Sequence, residues 1–158
     1  MIYIHIPFCK SRCLYCDFFS TTSSELKDDF VKALLKEIEG RAEELRFARA
    51  NTIYIGGGTP SQLDAKHLTD IFDALQRVAP LQEDAEVTIE CNPDDITPEF
   101  VDALKATPVN RVSMGVQTFD DNLLRLLRRR HTSAQAHRAV SLLREAGYSN
   151  ISLDLMYG

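Results

Sequence analysis

Five short segments of the chain alternate apolar and polar residues, and amphipathic helical patterns separate these segments from one another. We predict strands over residues 2–6, 52–56, 86–91, 111–117 and 151–156. Strands that alternate with helices predict a parallel sheet with right-handed crossover connections. Because successive side chains of a strand point to opposite faces, this sheet has one apolar face and one polar face. The helices are therefore expected to cover one side only.

This one-sided pattern separates two architectures that both contain parallel strands. In a doubly wound sheet, helices cover both faces and the strands are nearly continuous apolar runs. The alternation seen here instead predicts an α/β partial barrel, with helices on its outer face and polar side chains on its concave face. Five strands do not close such a barrel, so we interpret residues 1–158 as one domain that is truncated and lacks at least one strand.

The helical patterns carry start and stop signals. Thr22 and Glu25 have the spacing of a capping box before the first helical pattern. Thr97 followed by Pro98 is typical of a helix start, and Gly147 is typical of a helix end. We expect helices from about residue 26, over 65–78, from residue 98, over 122–129, and over 133–146 with Thr132 or Ser133 as its cap.

Composition and charge limit the partners and the compartment. The net charge of −5 and the pI near 5.3 give the chain no general attraction to nucleic acid. No apolar run reaches the roughly 18 residues of a membrane span, and the N-terminus lacks the features of a signal peptide. We therefore expect a cytoplasmic protein, with peripheral attachment to the inner membrane as an open alternative. Cytosolic thiols are usually reduced, which favours metal binding or catalysis over disulfides.

Unusual residues follow or end each predicted strand, where parallel α/β proteins carry their working groups. The stretch FCKSRCLYCDF follows the first strand and GGGTP follows the second, while Glu90, Gln117 and Asp154 end or nearly end the other three. Glu90 and Asp154 face the concave side by strand parity. An unpaired carboxylate there costs several kcal/mol, so we expect each to meet a ligand or water, with pairing to Arg111 as the structural alternative.

Cys9, Cys13 and Cys16 lie within eight residues of one another, and two kinds of metal site suit them. A structural zinc site needs a fourth ligand, which would be Cys91 or His5. Parity points Cys91 into the helix layer and His5 to the concave side. Three cysteines also suit a 4Fe–4S cluster with one iron open to an exogenous ligand. Solvent exposure is expected for the remaining histidines and a basic cluster, namely His67, His131, His137, Arg125, Arg128, Arg129 and Arg130.

The motif C-x₃-C-x₂-C after the first strand resembles the signature of radical S-adenosylmethionine (SAM) proteins. Further stretches resemble one family within that group, the oxygen-independent coproporphyrinogen III oxidase-like proteins and in particular their HemW-type heme chaperone branch. These stretches are YIHIPFC, Cys16-Asp17-Phe18, GGGTP, Glu90-Cys91-Asn92-Pro93, SMGVQTF, Arg129 with His131, and DLMYG. The resemblance covers essentially the whole chain. It implies a partial (βα) barrel of the radical SAM type, with residues 1–158 as the N-terminal core of a longer architecture.

The resemblance also implies a ligand set. Cys9, Cys13 and Cys16 would hold the cluster, and SAM would chelate the open iron through its amino and carboxylate groups. Gly57, Gly58 and Thr59 would contact the methionine part of SAM through the backbone, and Arg129 would offer charge to its carboxylate. Gln117 and Asp154 would meet the ribose and the adenosine. The full set of implied SAM contacts is Tyr3, Tyr15, Gly57, Gly58, Thr59, Glu90, Gln117, Arg129 and Asp154, and none is assigned a catalytic role.

The family includes two functions, which one position helps to separate. The oxidases carry a further cysteine two positions after the third, where this chain has Phe18. This difference favours a heme chaperone, with heme as cargo and with heme-accepting proteins and an electron donor as partners. Oxidative decarboxylation of coproporphyrinogen in porphyrin biosynthesis remains the alternative, so whether the chain is an enzyme stays open. A zinc-stapled binding module is the third possibility.

Overall fold

One five-stranded parallel sheet organises the computed structural model, which describes residues 1–47 and 51–157. The strands are β1 (Ile2–Ile6), β2 (Thr52–Gly57), β3 (Glu86–Cys91), β4 (Arg111–Gln117) and β5 (Asn150–Leu155), and they neighbour one another in chain order. All four pairings are parallel. The predicted fold class is confirmed, and each predicted strand lies within one residue of the observed one.

Helices pack on the apolar face of this sheet. They are α1 (Lys27–Gly40), α2 (Ala42–Phe47), α3 (Ala65–Val78), α4 (Pro98–Lys105), α5 (Asp121–Leu126) and α6 (Ser133–Glu145). Alternate strand residues such as Ile55, Ile89 and Met114 are fully buried and belong to the same core as Leu68 of α3 and Leu104 of α4. Each such side chain contributes about 1.5–3 kcal/mol by leaving water, so this face fixes the sheet to its helices.

Two of the predicted helix starts are confirmed by their hydrogen bonds. The Phe100 N–H donates to the Thr97 hydroxyl, with Pro98 at the first position of α4. Thr132 and Gln135 form a reciprocal capping box at the start of α6. Gly147, with a φ of +97°, follows α6 as the predicted stop.

Two other helix predictions are wrong at their ends. Thr22 and Glu25 form no capping box, because the Ser23 N–H donates to the Thr21 hydroxyl and a 3₁₀ turn then precedes α1. The helix predicted over 122–129 ends at Leu126, because Arg128 adopts a left-handed φ of +57°. This turn sends the residues after Arg128 back towards the sheet.

The opposite face of the sheet is polar, as the alternation predicts, and its residues bind one another. Arg111 donates to the Thr88 hydroxyl at 3.2 Å and to the Ser152 hydroxyl at 3.1 Å, and Ser152 donates to Ser113 at 3.3 Å. The nearest carboxylate to Arg111 is that of Glu86, at 3.8 Å. The structural alternative considered for Glu90 and Asp154, pairing with Arg111, is therefore absent from the described contacts.

Within residues 1–47 and 51–157, no helix combines the length and the apolar character that crossing a bilayer demands.

Candidate functional site

The cysteine loop, residues 7–21, leaves the carboxyl end of β1 and returns to its own base. The Thr21 N–H donates to the Pro7 carbonyl at 2.7 Å, and the Cys9 N–H donates to the Thr21 carbonyl at 2.9 Å. At its far side, the Leu14 N–H donates to the Leu127 carbonyl at 3.0 Å, just after α5. The loop is thus closed at one end and tied to the helix layer at the other.

The cysteine loop carries three thiols that are half-buried and free. Cys9, Cys13 and Cys16 form no disulfide, and the Cys16 N–H donates to the Cys13 carbonyl at 3.2 Å in a tight turn. Half-burial leaves each sulfur accessible to a metal while it holds the side chain in place. All three cysteines line one cleft, which is described below.

The glycine loop, residues 56–60, lies against the first cysteine. The Gly58 N–H donates to the Ile6 carbonyl at 2.8 Å, which draws this loop over the end of β1. A Cβ on Gly58 would lie 2.8 Å from the Phe8 carbonyl oxygen and 3.0 Å from the Cys9 sulfur, so no other residue fits there without a shift. Gly57 has a φ of +115°, which also favours glycine. The Thr59 hydroxyl contacts the Cys9 sulfur at 3.5 Å.

Glu90 is held at both of its carboxylate oxygens. The Tyr54 hydroxyl donates to Oε1 at 2.6 Å, and the Gly57 N–H donates to Oε2 at 3.0 Å. Burial raises the pKa of Tyr54, and the hydrogen bond and negative charge of Glu90 raise it further, so this phenol remains a donor. The inward orientation predicted for Glu90 is confirmed.

Arg129 connects the cysteine loop to the strand ends. Its Nη1 donates to the Cys13 sulfur at 3.3 Å, and its Nη2 donates to the Asn92 side-chain oxygen and to the Gly115 carbonyl. Its Nε is buried and has no hydrogen-bond partner among the described residues. Arg129 was expected in a solvated cluster by composition and in the site by resemblance, and it lies in the site.

The end of β4 is irregular, and this irregularity turns Gln117 towards the same space. Gln117 has a left-handed φ of +69°, and the pairing register of β4 and β5 shifts between Gly115 and Gln117. The Met156 N–H donates to the Gln117 carbonyl at 2.9 Å, which holds the shifted strand end. A bulge of this kind re-aims side chains and is common beside binding sites.

One cleft of about 190 Å³ collects nearly all of the predicted site residues. Its lining includes the three cysteines together with Tyr15, Gly57, Gly58, Thr59, Glu90, Gln117, Arg129 and Asp154. Burial is the main cause that raises the pKa of Tyr15 to about 12, which keeps its hydroxyl protonated. Tyr3 is not among the lining residues. Its hydroxyl donates to His5 at 3.1 Å and its ring stacks on Tyr54.

Several residues of the cleft were not predicted to be site residues. Asn92, Ser113, Gly115 and Phe18 also line it, and Tyr54 stands behind Glu90. Tyr54, Ser113 and Gly115 share the strand parity of the predicted residues, so the signal for them was present. For Asn92 the partner Arg129 is 37 positions away, and no local pattern reveals that contact.

Solvent exposure was expected for three histidines, and it is confirmed for only one of them. His131 is 2% exposed, although solvent exposure was expected. Its Nε2 donates to the Val116 carbonyl at 3.1 Å, and burial together with the neighbouring Arg129 lowers its pKa to about 4. His137 is exposed, as expected, and His67 is partly buried beside Asp28 at 3.0 Å.

The surroundings of Cys91 and His5 disfavour the zinc site considered above. Cys91 is buried in the core, as parity predicted, and burial raises the pKa of its thiol. Both nitrogens of His5 are engaged, one by the Tyr3 hydroxyl and the other by the Phe19 carbonyl. In the part of the chain that the structure describes, no three His, Cys, Asp or Glu side chains converge on a position for a single metal ion. A cluster has a different requirement, because each thiolate binds a separate iron.

Comparison with known sequences identifies related proteins over almost the whole chain. The Radical SAM superfamily matches residues 3–158. Heme chaperone HemW of Lactococcus lactis subsp. lactis (strain IL1403) is 41% identical over 157 residues, which cover 98% of this chain and 40% of that protein. Heme chaperone HemW of Escherichia coli (strain K12) is 40% identical over 160 residues, 99% of this chain and 42% of that protein. The chain thus spans about two fifths of the length of these curated relatives.

Comparison with solved structures gives the same result at the level of the fold. Coproporphyrinogen III oxidase (HemN) from Escherichia coli, described as a radical SAM enzyme, superposes with a TM-score of 0.91 at 32% identity. The match covers 99% of this chain and 37% of that one. The archaeal Methanocaldococcus infernus Elp3, at 23% identity and a TM-score of 0.61, shares the fold. By sequence and by fold, this chain belongs to the radical SAM superfamily.

Proposed function

We propose that this chain is the cofactor-binding core of a HemW-type heme chaperone, which holds a 4Fe–4S cluster and SAM and handles heme as its cargo. The superfamily implies the cluster and SAM, and the relatives that align over nearly the whole chain are named heme chaperone HemW. Residues 1–158 would be the N-terminal radical SAM core of that architecture. The observation that carries the proposal is the single cleft shared by three free thiols, the glycine loop and Arg129.

The residues of the cleft fit these cofactors. Cys9, Cys13 and Cys16 are free and half-buried, and Fe–S clusters are held by such thiolates. Gly58 leaves space beside Cys9 that any Cβ would fill. The Arg129 Nε is a buried donor without a partner among the described residues, and a carboxylate is the group that would satisfy it.

Each part of the cleft would then have a distinct task. Cys9, Cys13 and Cys16 would hold the cluster, and Arg129 would orient the SAM carboxylate. Gly57, Gly58 and Thr59 would contact the methionine part of SAM, while Tyr15, Glu90, Gln117 and Asp154 would complete the cofactor contacts. A cluster bound there would be able to supply a single electron to the sulfonium of SAM, so an electron donor would be a partner. Heme-accepting proteins and a cytoplasmic location complete the proposal.

Phe18 favours the chaperone over the oxidase. The coproporphyrinogen oxidases of this family carry a cysteine at that position, and here an aromatic side chain, 68% exposed, lines the cleft beside Cys16. Phenylalanine offers no ligand for iron. The oxidase remains the second candidate because of the likeness to HemN at 32% identity.

Anaerobic reconstitution with iron and sulfide tests the proposal directly. We expect the full chain to take up about four irons and four sulfides, to bind hemin with a shifted Soret band, and to leave coproporphyrinogen unchanged in the presence of SAM and a reductant. SAM-dependent loss of carboxylates from coproporphyrinogen would instead establish the oxidase. Stoichiometric zinc without iron would establish the zinc module.

Replacement of Arg129 tests the SAM site itself. We expect Arg129→Ala to weaken SAM binding about tenfold or more, since a charge-assisted hydrogen bond to the SAM carboxylate is lost, while iron and sulfide remain bound. Arg125→Ala, at an exposed arginine of α5, is the matched control and should bind SAM normally. Equal SAM affinity in the two variants would remove Arg129 from the site.

A further inference from the structure

Glu90 of β3 is held by two donors of the neighbouring strand β2 before any ligand binds. Tyr54 of β2 donates to its Oε1 at 2.6 Å, and Gly57 at the end of β2 donates to its Oε2 at 3.0 Å. Each carboxylate oxygen has about two lone-pair sites, so both oxygens keep capacity for a further donor. The carboxylate is therefore oriented but not saturated.

The Tyr54 ring is itself fixed by its neighbours. It stacks on the Tyr3 ring, with centroids 6.1 Å apart and an interplanar angle of 27°. Gly56 also lies close to this ring, and a Cβ there would come within 2.8 Å of the Tyr54 ring and 3.0 Å of the Glu90 carboxyl carbon. Glycine at this position leaves the space that the ring and the carboxylate occupy together.

We propose that Tyr54 is a positioning residue, whose hydroxyl orients the Glu90 carboxylate so that its free lone pairs face the cofactor in the cleft. The inference rests on the proposed function, in which Glu90 is a SAM contact. Ligand groups that suit these lone pairs are donors, such as an ammonium or a hydroxyl. Tyr54 does not line the cleft and would not touch SAM.

The same arrangement suggests an indirect role for Tyr3, through its contact with Tyr54. Tyr3 is 51% exposed and lies outside the cleft lining, yet it packs on Tyr54. Its effect on SAM would therefore pass through the Tyr54 ring and the Glu90 carboxylate.

Removal of a single hydroxyl tests the positioning role. We expect Tyr54→Phe to weaken SAM binding to the reconstituted protein about tenfold, measured by calorimetry, because Glu90 loses a charged hydrogen bond. Iron content and the midpoint of thermal unfolding should match those of Tyr148→Phe. Tyr148 is the matched control because it is buried, 9% exposed, and outside the cleft.

A double-mutant cycle with Glu90→Ala separates this inference from the proposed function. In the Glu90→Ala background, Tyr54→Phe should change SAM affinity less than twofold, because the group that it positions is gone. Unchanged affinity in Glu90→Ala would remove Glu90 from the SAM site and contradict that part of the proposed function. Weak binding in Glu90→Ala with normal binding in Tyr54→Phe would overturn the positioning role alone.

A second measurement needs no cofactor. In the cofactor-free protein, the Gly57 amide proton is protected by its bond to Glu90. We expect Tyr54→Phe to speed hydrogen exchange at this amide several-fold, and Tyr148→Phe to leave it unchanged. Equal exchange in both variants, or a lower iron content in Tyr54→Phe alone, would show that the hydroxyl does not act by orienting Glu90.

Discussion

Cys13 and Cys91 are thiols of the same chain in opposite environments. Cys13 is half-buried at the cleft, with the Arg129 guanidinium 3.3 Å from its sulfur. Cys91, the last residue of β3, also borders the cleft, but it is buried and packs in the core, where a free cysteine behaves as a small hydrophobic residue. Their roles should therefore separate cleanly under the same substitution.

We expect Cys13→Ser to abolish cluster assembly and Cys91→Ser to preserve it. Serine replaces a thiolate ligand in the first case and only changes core packing in the second. Iron and sulfide analysis after anaerobic reconstitution provides the measurement, and Cys91→Ser is the matched control. A full cluster in Cys13→Ser would exclude this cysteine as a ligand.

Strand parity predicted the strand residues that face the cleft, whereas Arg129 was assigned to the site by resemblance, and local sequence could not predict the partners of either. Glu90 and Gln117 were assigned to the concave face from alternation, and both line the cleft. The Tyr54 contact that orients Glu90 spans 36 positions, and the Cys13–Arg129 contact spans 116. Such contacts depend on the order of the strands, which no short window of sequence contains.

The loops that follow the strands set the positions of the residues that line the cleft. Gly58 has an ordinary φ, so its requirement for glycine comes from the Phe8 carbonyl and the Cys9 sulfur that face it. Gly40, the last residue of α1, has open space around it. Substitution at Gly58 therefore tests the effect of steric contact with the cysteine loop, and substitution at Gly40 tests the effect of backbone flexibility alone.

We expect Gly58→Ala to lower the iron content after reconstitution, because its Cβ would displace the cysteine loop. Gly40→Ala should assemble the cluster normally. It should raise the free energy of unfolding by about 0.5–1 kcal/mol, because alanine reduces the conformational entropy of the unfolded chain. Iron analysis and urea unfolding measure the two effects. Normal iron content in Gly58→Ala would show that the cysteine loop tolerates the shift.

A buried ionic network joins the segments that follow β2, β3 and α5. Arg130 contacts Asp94 at 3.0 Å and both oxygens of Asp95 at 3.1 Å, and the Ser61 hydroxyl donates to Asp95 at 2.8 Å. The side chains of Arg130 and Asp95 are 16% and 9% exposed. Composition had placed Arg130 in a solvated cluster, and only the fold brings it to the two aspartates.

We expect Asp95→Asn to lower the free energy of unfolding by about 3 kcal/mol, because one partner of a buried ion pair is removed. Asp29→Asn is the matched control at the exposed pair with Lys32, and it should cost about 0.5 kcal/mol or less. Urea unfolding of the cofactor-free, reduced protein measures both. Equal stability of the two variants would show that the network carries no net energy.

The whole sheet shows why the architecture was predictable and part of its chemistry was not. Alternation in five strands determines which face is apolar, and helices must cover that face to leave water. The end of a helix is less constrained. Helix α5 ends at Leu126, earlier than predicted, and Arg128 then adopts a left-handed φ. Because the chain turns at Arg128, Arg129 lies in the cleft, Arg130 lies in the ionic network and His131 is buried.

The burial of His131 makes the stability of the whole molecule depend on pH. Burial first, and then Arg129, lowers its pKa from 6.5 to about 4, so the folded protein stays unprotonated there while the unfolded chain takes up a proton. Between these values acid favours unfolding, by about 1.4 kcal/mol per unit and about 3 kcal/mol in all. The contribution is complete above pH 6.5 and is lost as the pH falls towards 4.

Comparison with a variant that does not titrate isolates this effect from the carboxylates. Asp94 acts in the opposite direction, because burial raises its pKa and the folded protein takes up that proton first. We expect His131→Asn to lose less stability than the parent between pH 7 and 4, by up to about 3 kcal/mol in urea unfolding. Above about pH 7.5 both side chains are neutral and the two profiles should be parallel. Parallel profiles across the acidic range would mean that His131 accepts its proton in the folded state as readily as in the unfolded chain.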